Sequence, residues 1–418
     1  MKIAILSDRS ILKHPFGRLL VESLIHDDHE VALASADIVN ETAFYDFSKS
    51  DKILNNFGEV RVAKYQLIKK RFRHIRSLRI CVNAIKICDR SVTRFRARKI
   101  IPWKVYFSSA IKALRMKADV IIVSRPQTIL VQLILACLKK TKIRKLNFVY
   151  YPYELYGEQF HKGKKSLAFL ERLFVKHVYD AIVVPSNSRL DYYRSINPNI
   201  RGCILRNFKK FVPLHKKPSR QLGDLRLVYF GLIDYGRKIE DIVNELGLMP
   251  KGYKFFLVGE VRKQWYKDNQ DSLNHWISEG KLELVAEIPE DMISKYLSNF
   301  DVGLISYDDS CLNNRLCAPA KVTDYLHAGL PIVAPDLPGM KEITLLNSNI
   351  FLYDHSDHGS LFKVLSEIAL NLTTRSPGEI SKSSSNLNWE NEYKKFQDLL
   401  VSLRNEWALS GSNRRPTD

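Results

Sequence analysis

Short apolar runs alternate with longer stretches of helical periodicity along most of the chain. In the first half the apolar runs lie at 3–6, 31–34, 120–123, 148–151 and 181–184, and a helix-length stretch follows each of them. Apolar strands that alternate with helices are typical of a parallel sheet with helices packed on its faces. The pattern therefore predicts an α/β fold whose first half is a doubly wound domain.

The alternation is interrupted once and then begins again. The segment 206–224, "RNFKKFVPLHKKPSRQLGD", is polar and basic and contains two prolines, which predicts a linker. Further apolar runs follow at 225–231, 253–259, 282–287, 301–306 and 331–335, and apolar residues recur at helical spacing in 388–407. We therefore expect a first domain at 1–205, a second doubly wound domain at 225–385, a closing helix at 386–409 and a disordered tail at 410–418.

Length and composition agree with two globular domains. The 418 residues exceed what a single core usually serves, and 45% of them are hydrophobic. The most apolar later segment, "TILVQLILACL", is shorter than the roughly 18–20 residues that cross a bilayer, so we expect no transmembrane helix. The opening "MKIAILSDRS" has too short an apolar core for a signal peptide, and the six cysteines form no CxxC pair, as in a reduced cytosolic protein.

The net charge of +20 is concentrated in one segment. Residues 60–117 contain 18 Lys and Arg against a single acid, Asp89, a balance of +17. Apolar and aromatic residues such as Phe72, Ile75 and Trp103 are interleaved with these cations. This combination suits an anionic membrane surface, where each cation near the lipid contributes about 1 kcal/mol. Nucleic acid is the competing partner, and a solvated basic face without any partner is the third interpretation.

The loop after the strand predicted at 225–231 is the first candidate site. Ligands of open α/β sheets bind at the carboxyl ends of the strands. Here "GLIDYGRKIEDI" forms a glycine-containing turn at Gly231, and we expect it to lead into a helix whose first turn carries Arg237 and Lys238. Helix N-termini favour phosphate, so two cations there suit a diphosphate. A solvent-exposed basic pair without a ligand is the alternative.

The stretch "APAKVTDYLHAGLPIVA" at 318–334 is the second candidate site. Pro319 suits the first turn of a helix, and Gly329 ends that helix before a buried strand. A helix that starts near 319 places Lys321 and Asp324 on one face of the same turn. The carboxylate can accept hydrogen bonds from the two hydroxyls of a ribose. An ordinary surface ion pair between the two side chains is the alternative.

Several stretches in the expected order resemble one family of enzymes. The segment 319–343, "PAKVTDYLHAGLPIVAPDLPGMKEI", resembles the donor-binding segment of nucleotide-sugar glycosyltransferases of the GT-B fold, especially family 4, in which "PxKxxEYLAAGxPVV" is common. "DHEVALAS" at 28–35, "ERLFVKHVYDAIVVPSNSRLDYY" at 171–193 and "NWENEYKKF" at 388–396 are similar to other segments of that family. The resemblance implies two Rossmann-like domains that face each other across a cleft.

The resemblance also implies a function. It indicates metal-independent transfer of a sugar, with retention, from a UDP- or GDP-sugar to a glycan acceptor that is lipid-linked, on the cytoplasmic face of the membrane. Asp324 then binds the nucleotide ribose, and Arg237 and Lys238 bind the diphosphate. The remaining positions that it implies are Glu154 facing the acceptor, Gly17 in the loop after the first strand, and Gly231, Pro319 and Lys321 at the donor.

The sequence departs from the family pattern at three positions. Asp324 replaces the usual glutamate, Leu316 stands where many relatives carry a second glutamate, and Tyr153 replaces a histidine. These departures leave a second hypothesis open, a catalytically silent GT-B module that binds nucleotide, glycan or nucleic acid. "YDDS" at 307–310 and "DHSDHG" at 354–359 are explained by a loop and by a helix start, so we predict no metal site, and neither GxGxxG nor GxxxxGK is present.

Overall fold

The computed structural model describes most of the second half of the chain and parts of the first. The described residues are 1–7, 15–35, 44–46, 118–124, 136, 146–155, 165–214, 224–371 and 376–412. The basic segment at 60–117 lies outside them, so the prediction made for it is not tested here. In the described residues, no helix is both long enough and apolar enough to cross a membrane.

The first half of the chain contributes a seven-stranded sheet. Its spatial order is β3-β2-β1-β4-β5-β6-β7, in which β3 is antiparallel to β2 and all other neighbours are parallel. The strands are β1 Lys2–Ser7, β2 Glu30–Ser35, β3 Phe44–Asp46, β4 Val120–Val123, β5 Asn147–Tyr150, β6 Ala181–Val184 and β7 Arg201–Ile204. Among the residues described in this half, the helices are α1 Pro15–His26, α2 Lys165–His177 and α3 Asn187–Ile196.

The second half contributes a six-stranded parallel sheet in the order β10-β9-β8-β11-β12-β13. Its strands are β8 Leu225–Phe230, β9 Tyr253–Val258, β10 Leu282–Val285, β11 Val302–Leu304, β12 Ile332–Pro335 and β13 Ile350–Tyr353. Its α-helices are α4 Ile239–Asn244, α5 Lys263–Ser278, α6 Ile293–Leu297, α7 Leu312–Arg315, α8 Lys321–His327, α9 Pro338–Thr344, α10 Ser360–Asn371 and α11 Pro377–Ser383. Single 3₁₀ turns lie at Tyr235–Arg237, Leu246–Leu248 and Glu290–Met292.

The strands predicted from the apolar runs are confirmed in both halves. Every residue of β4, β6 and β12 is buried, which explains why these strands are apolar at successive positions rather than at alternate ones. Three strands were not predicted, β3, β7 and β13, and each lies at the edge of its sheet. The fourth edge strand, β10, was predicted from the apolar run at 282–287.

The last helix returns the chain to the first half. Helix α12, Trp389–Ser412, packs Trp389, Phe396 and Leu400 into the same apolar core as Ile3 and Leu20. The indole Nε1 of Trp389 also donates to Ser23 Oγ at 2.8 Å. The helix begins and ends three residues later than expected, so 410–412 are helical rather than part of a tail.

Candidate functional site

Two glycines bring the carboxyl ends of β8 and β9 close together. Gly231 and Gly259 have φ angles of +130° and +134°, which residues with a side chain rarely adopt. A Cβ on Gly259 would lie 2.2 Å from the Gly231 carbonyl oxygen, and a Cβ on Gly231 would lie 2.9 Å from Cε of Lys321. The missing side chain at Gly231 is therefore what leaves room for the lysine across the strand end.

Lys321 is the first residue of α8, two residues later than the predicted helix start at Pro319. The Pro319 carbonyl accepts from Val322 N at 3.4 Å in the turn that precedes the helix. The Lys321 ammonium lies 3.7 Å from the centroid of the Tyr229 ring, which attracts a cation through its π electrons. Burial, and then the charge of Arg237, hold the pKa of Lys321 well below its usual range.

Arg237 lies beside Lys321 at the end of the 3₁₀ turn Tyr235–Arg237. Its guanidinium carbon is 4.4 Å from the centroid of the Tyr307 ring. Its carbonyl accepts a hydrogen bond from Ser306 Oγ at 2.6 Å, which ties the loop after β8 to the loop after β11. Burial raises the pKa of Tyr307 to about 12, so the ring remains a neutral phenol beside the cation.

Arg237 and Lys321 lack an anionic partner within the part of the chain that the structure describes. No described carboxylate oxygen lies within ion-pair distance of either side chain, although Asp234 acts on both charges, and Asp324 on Lys321, from farther away. Each cation is held over an aromatic ring. Both side chains are positively charged and repel each other, which contributes to the lowered pKa of Lys321. An anion at this position would relieve the repulsion, so the pair has the electrostatic character of an anion-binding site.

Lys238 does not lie in the first turn of a helix with Arg237, which corrects the prediction. It adopts a left-handed conformation, with φ 48° and ψ 34°, at the junction between the 3₁₀ turn and α4. Its ammonium lies 4.0 Å from Asp241 Oδ2 and 3.9 Å from Asp309 Oδ1. The first turn of α4 is acidic instead, since it carries Glu240 and Asp241.

Asp324 is not paired with Lys321 but with a residue of the linker. Lys209 Nζ lies 2.9 Å from Asp324 Oδ1, and the Lys209 amide donates to Thr323 Oγ1 at 3.2 Å. The carboxylate is mostly enclosed, since 10% of its side chain is exposed. The surface ion pair between Lys321 and Asp324 that was the alternative interpretation is therefore absent, and the linker lies against the start of α8.

Two of the predicted site residues come from the first half of the chain: Glu154 is partly exposed, whereas Gly17 is buried. Glu154 follows β5 and is partly exposed, with Oε2 at 3.9 Å from Nη2 of the buried Arg189. Gly17 was expected in the loop after β1, but it lies in the first turn of α1 and is buried. Pro15 explains the difference, since proline suits the first position of a helix and starts α1 before Gly17.

The two histidines of "DHSDHG" contact different carboxylates. His355 Nε2 lies 3.1 Å from Asp309 Oδ2, whereas His358 Nδ1 lies 2.8 Å from Glu245 Oε1. The two side chains therefore do not share a site. In the described ranges, no group of three His, Cys, Asp or Glu residues is arranged to hold a metal ion.

Several residues of the site were missed in the sequence. Tyr229, Ser306 and Tyr307 orient the two cations, and Lys209 neutralises Asp324. Their position at or just after the carboxyl ends of predicted strands, or in the basic linker, is the only signal that the sequence carries for them. The contacts themselves join residues more than 65 positions apart, and local spacing does not reveal such pairs.

Three solved structures have similar architecture over nearly the whole chain. A sucrose-phosphate synthase from Thermosynechococcus elongatus is 13% identical and aligns with 97% of this chain and 100% of its own, with a TM-score of 0.65. HepE from Anabaena, in complex with UDP and glucose, is 12% identical over 96% and 100%, with a TM-score of 0.62. The lipopolysaccharide outer core galactosyltransferase WaaB, in its apo form, is 12% identical over 96% and 99%, with a TM-score of 0.61.

No family model and no curated protein matches the sequence. At such low identity, the likeness to solved structures establishes the fold alone. It confirms the predicted class, the GT-B arrangement of two doubly wound Rossmann-like domains that face each other across a cleft. The two sheets have the strand orders that this arrangement requires, with helices on their faces.

Proposed function

We propose that this protein is a glycosyltransferase that moves a sugar from a nucleotide-diphosphate-sugar to a glycan acceptor. The observation that carries the proposal is the pair Arg237 and Lys321, two cations without a described acidic partner at the carboxyl ends of parallel strands. That edge is where open α/β sheets bind their ligands. HepE, a structural neighbour, is in complex with UDP-glucose in another structure, which supports a UDP-sugar as the donor.

The two cations act on the leaving group. Breaking the bond between the sugar and the diphosphate develops negative charge on the β-phosphate, and fixed cations stabilise that charge as it forms. Arg237 and Lys321 are held over rings before any ligand binds, so little reorganisation is needed at the moment of reaction. Lys321 takes the role that the sequence had suggested for Lys238, whose ammonium faces Asp241 and Asp309.

Asp324 binds the ribose of the donor. Lys209 contacts Oδ1 of the carboxylate, which leaves Oδ2 for a ribose hydroxyl. The same lysine holds the carboxylate in a fixed orientation, because its ammonium lies 2.9 Å from Oδ1. The linker thus becomes one wall of the nucleotide site.

Glu154 faces the acceptor, and the transfer proceeds with retention and without a metal ion. The exposed part of Glu154 follows β5, at the same edge of the first sheet as the loops that face the second domain. Arg237 and Lys321 supply the positive charge that a metal ion would otherwise bring to the diphosphate. The departing phosphate oxygen then accepts the proton of the acceptor hydroxyl.

A lipid-linked acceptor, reached from the cytoplasmic side of an anionic membrane, fits the surface of the first domain. On helix α2, Phe169 and Leu173 are 64% and 41% exposed, one helical turn apart. The only acid of that helix, Glu171, is buried and accepts hydrogen bonds from Tyr150 and Tyr193 at 2.7 and 2.8 Å. The outer face of α2 is therefore apolar and basic, which suits anionic lipid more than nucleic acid.

A catalytically silent GT-B binding module is the second candidate function. Leu316 stands where the resemblance leads us to expect a glutamate, and its carbonyl accepts from Arg189 at 2.9 Å. A leucine cannot interact with sugar hydroxyls through its side chain. This observation favours binding without transfer.

Hydrolysis of nucleotide sugars in the absence of an acceptor distinguishes the two candidates. We expect one UDP- or GDP-sugar to be hydrolysed slowly, and we expect Arg237→Ala and Lys321→Ala to abolish that hydrolysis while nearby Lys238→Ala retains most of it. Nucleotide binding without hydrolysis of any donor, with or without added glycan acceptors, would instead support the silent module.

A further inference from the structure

The first turn of helix α3 is in contact with both domains. The segment Ser186 to Arg189 follows β6, and Ser186 caps α3 by accepting a hydrogen bond from the Arg189 amide at 3.2 Å. Three residues of this turn, together with an asparagine and a glutamate from the second half of the chain, form a network that we call the α3 junction. Its members are Asn187, Ser188, Arg189, Asn313 and Glu342. The function proposed above uses none of them.

Arg189 joins a loop of the first domain to a loop of the second. Its guanidinium is buried and donates to the Tyr153 carbonyl at 3.0 Å in the first domain. It also donates to the Leu316 carbonyl at 2.9 Å and to Oδ1 of Asn313 at 3.1 Å in the second domain. The same Asn313 oxygen accepts from the amide of Leu155 at 2.9 Å, so the loop that carries Glu154 is held on both sides.

Glu342 makes the reciprocal contact from the second domain. Its carboxylate accepts from the amides of Asn187 and Ser188 at 2.8 and 3.1 Å, and from the side chains of both residues at 2.8 and 3.1 Å. These amides lie at the N-terminus of α3, where free N–H groups and the helix dipole favour a negative charge. A carboxylate of α9 therefore completes a helix of the other domain.

The polar groups of the α3 junction have these hydrogen-bond partners only when the two domains are in contact. A buried guanidinium that loses its carbonyl partners is left with unpaired donors, and separation would also expose the N-terminus of α3 and the Glu342 charge. By contrast, an ion pair elsewhere between the domains, Arg18 with Glu290 at 3.0 Å, is about half exposed on both sides. Water can replace that pair at little cost.

We propose that the α3 junction positions the acceptor side of the cleft against the donor site, with Arg189 and Glu342 as its positioning residues. The proposal rests on the function proposed above. Arg189 fixes the carbonyl next to Glu154 and the loop at 313–316, which leads directly into the turn at Pro319 and Lys321. The distance between Glu154 and the two donor-site cations is thereby set by one side chain.

Kinetics and binding separate this role from a contribution to folding alone. For Arg189→Ala we expect kcat of transfer to fall on the order of a hundredfold, because small misplacement of reacting groups has effects of that size. The affinity for the nucleoside diphosphate should stay within about twofold, since Arg237 and Lys321 are unchanged. Arg189→Lys should recover only part of kcat, because one ammonium cannot span both loops as a planar fork does.

Hydrogen exchange tests the junction independently of any activity. In the free protein we expect the Ser188 amide to be protected, and to exchange at least tenfold faster in Glu342→Ala, together with an increase in radius of gyration by X-ray scattering. The matched control is Glu290→Ala, which removes the exposed pair between the same domains and should change neither exchange nor kcat.

Distinct results overturn the junction and the proposed function. If Arg189→Ala does not fold, Glu342→Ala gives the same kinetic test. Normal kcat in either folded variant, or an unprotected Ser188 amide in the unaltered protein, would overturn the junction. Failure to bind or hydrolyse any nucleotide sugar, while the exchange and scattering results hold, would overturn the proposed function and leave the junction as a device that holds the domains together.

Discussion

Two arginines in the molecule are surrounded in opposite ways. Arg189 donates to the carbonyls of Tyr153 and Leu316 and to Asn313, so its hydrogen bonds are satisfied within the protein. Arg237 lies over the Tyr307 ring and has no carboxylate partner among the described residues, and Lys321 beside it is in the same situation. Arg189 thus stabilises the contact between two loops, whereas Arg237 and Lys321 are the cations that we propose bind the donor diphosphate.

The largest expected effect comes from removing the cations without partners. Arg237→Ala should lower turnover of the responding donor on the order of 10²- to 10³-fold, the usual effect of losing one preorganised group that stabilises transition-state charge. Lys321→Met should have a similar effect on turnover. Because the folded state lowers the lysine's pKa, the charged form destabilises the fold, so Lys321→Met should raise the melting temperature.

Turnover of purified variants and thermal melting measure these effects side by side. Lys238→Ala is the matched control, since its ammonium is nearby but faces Asp241 and Asp309. Unchanged turnover in Arg237→Ala, or a lower melting temperature in Lys321→Met, would show that these two side chains stabilise the structure, as Arg189 does, rather than act on the donor.

The opposite pattern is expected for Arg189. Arg189→Ala removes the side-chain donor to the Leu316 and Tyr153 carbonyls in a buried place, whereas the Asn313 amide oxygen keeps its hydrogen bond from the Leu155 amide. An unsatisfied buried group costs about 1–3 kcal/mol, so the free energy of unfolding should fall on the order of 3 kcal/mol. Urea unfolding of Arg189→Ala and Arg237→Ala compares the two directly. Equal stability of the two variants would contradict the distinction drawn between them.

The sequence predicts the central strands well and the edges poorly. Strands such as Val120–Val123 and Ile332–Pro335 are buried along their length, so their apolar runs stand out. Phe44–Asp46, Arg201–Ile204 and Ile350–Tyr353 are edge strands, and each was missed. Of the four edge strands only Leu282–Val285 was predicted, and Ile350–Tyr353 was missed although all four of its residues are aliphatic or aromatic.

The sequence predicted which loops form the candidate site, but not which side chains contact one another within it. The loops after Phe230 and around Lys321 do meet, as the rule for open α/β sheets predicts. The left-handed conformation of Lys238 is set by two short helices that meet there, and no local pattern of residues marks it. The pairing of Asp324 with Lys209 joins two segments that only the folded chain brings together.

Asp324 is intermediate between the charges that have protein partners and those that do not, because Lys209 contacts only one of its two carboxylate oxygens. Asp324→Ala should weaken binding of the nucleoside diphosphate by about 1.5–3 kcal/mol, the usual contribution of hydrogen bonds to a charged group. Calorimetric titration measures the change. Lys209→Ala is the companion variant, and it should weaken binding less, since the carboxylate remains available to the ribose. An unaltered affinity in folded Asp324→Ala would remove the ribose role.

The pH dependence of binding tests Lys321 without destroying the site. The pKa of the free protein's Lys321 is well below its usual range, and a bound diphosphate should raise it. Affinity should therefore be full below the free-protein pKa, decrease as pH rises through it, and level off above the pKa of the complex. Binding titrations at a series of pH values measure this decrease, and Lys321→Arg, which stays charged, should abolish it. A pH-independent affinity in the unaltered protein would indicate that the lysine does not face the phosphates.

The smallest expected effect concerns the outer face of helix α2, where Phe169 and Leu173 are exposed. The double variant Phe169→Ser, Leu173→Ser should bind vesicles that contain anionic lipid several-fold more weakly. Each substitution removes an apolar side chain that would insert into the lipid, while the nearby cations remain. Binding should also weaken as salt rises, since charges separated by more than about 8–10 Å are screened at physiological ionic strength.

Leu345→Ser is the matched control, because Leu345 is 86% exposed but lies in the second domain, and it should have no effect. Co-sedimentation with anionic and neutral vesicles across a salt series gives the measurement. Equal binding to both kinds of vesicle, or an equal effect of Leu345→Ser, would mean that α2 does not face the membrane.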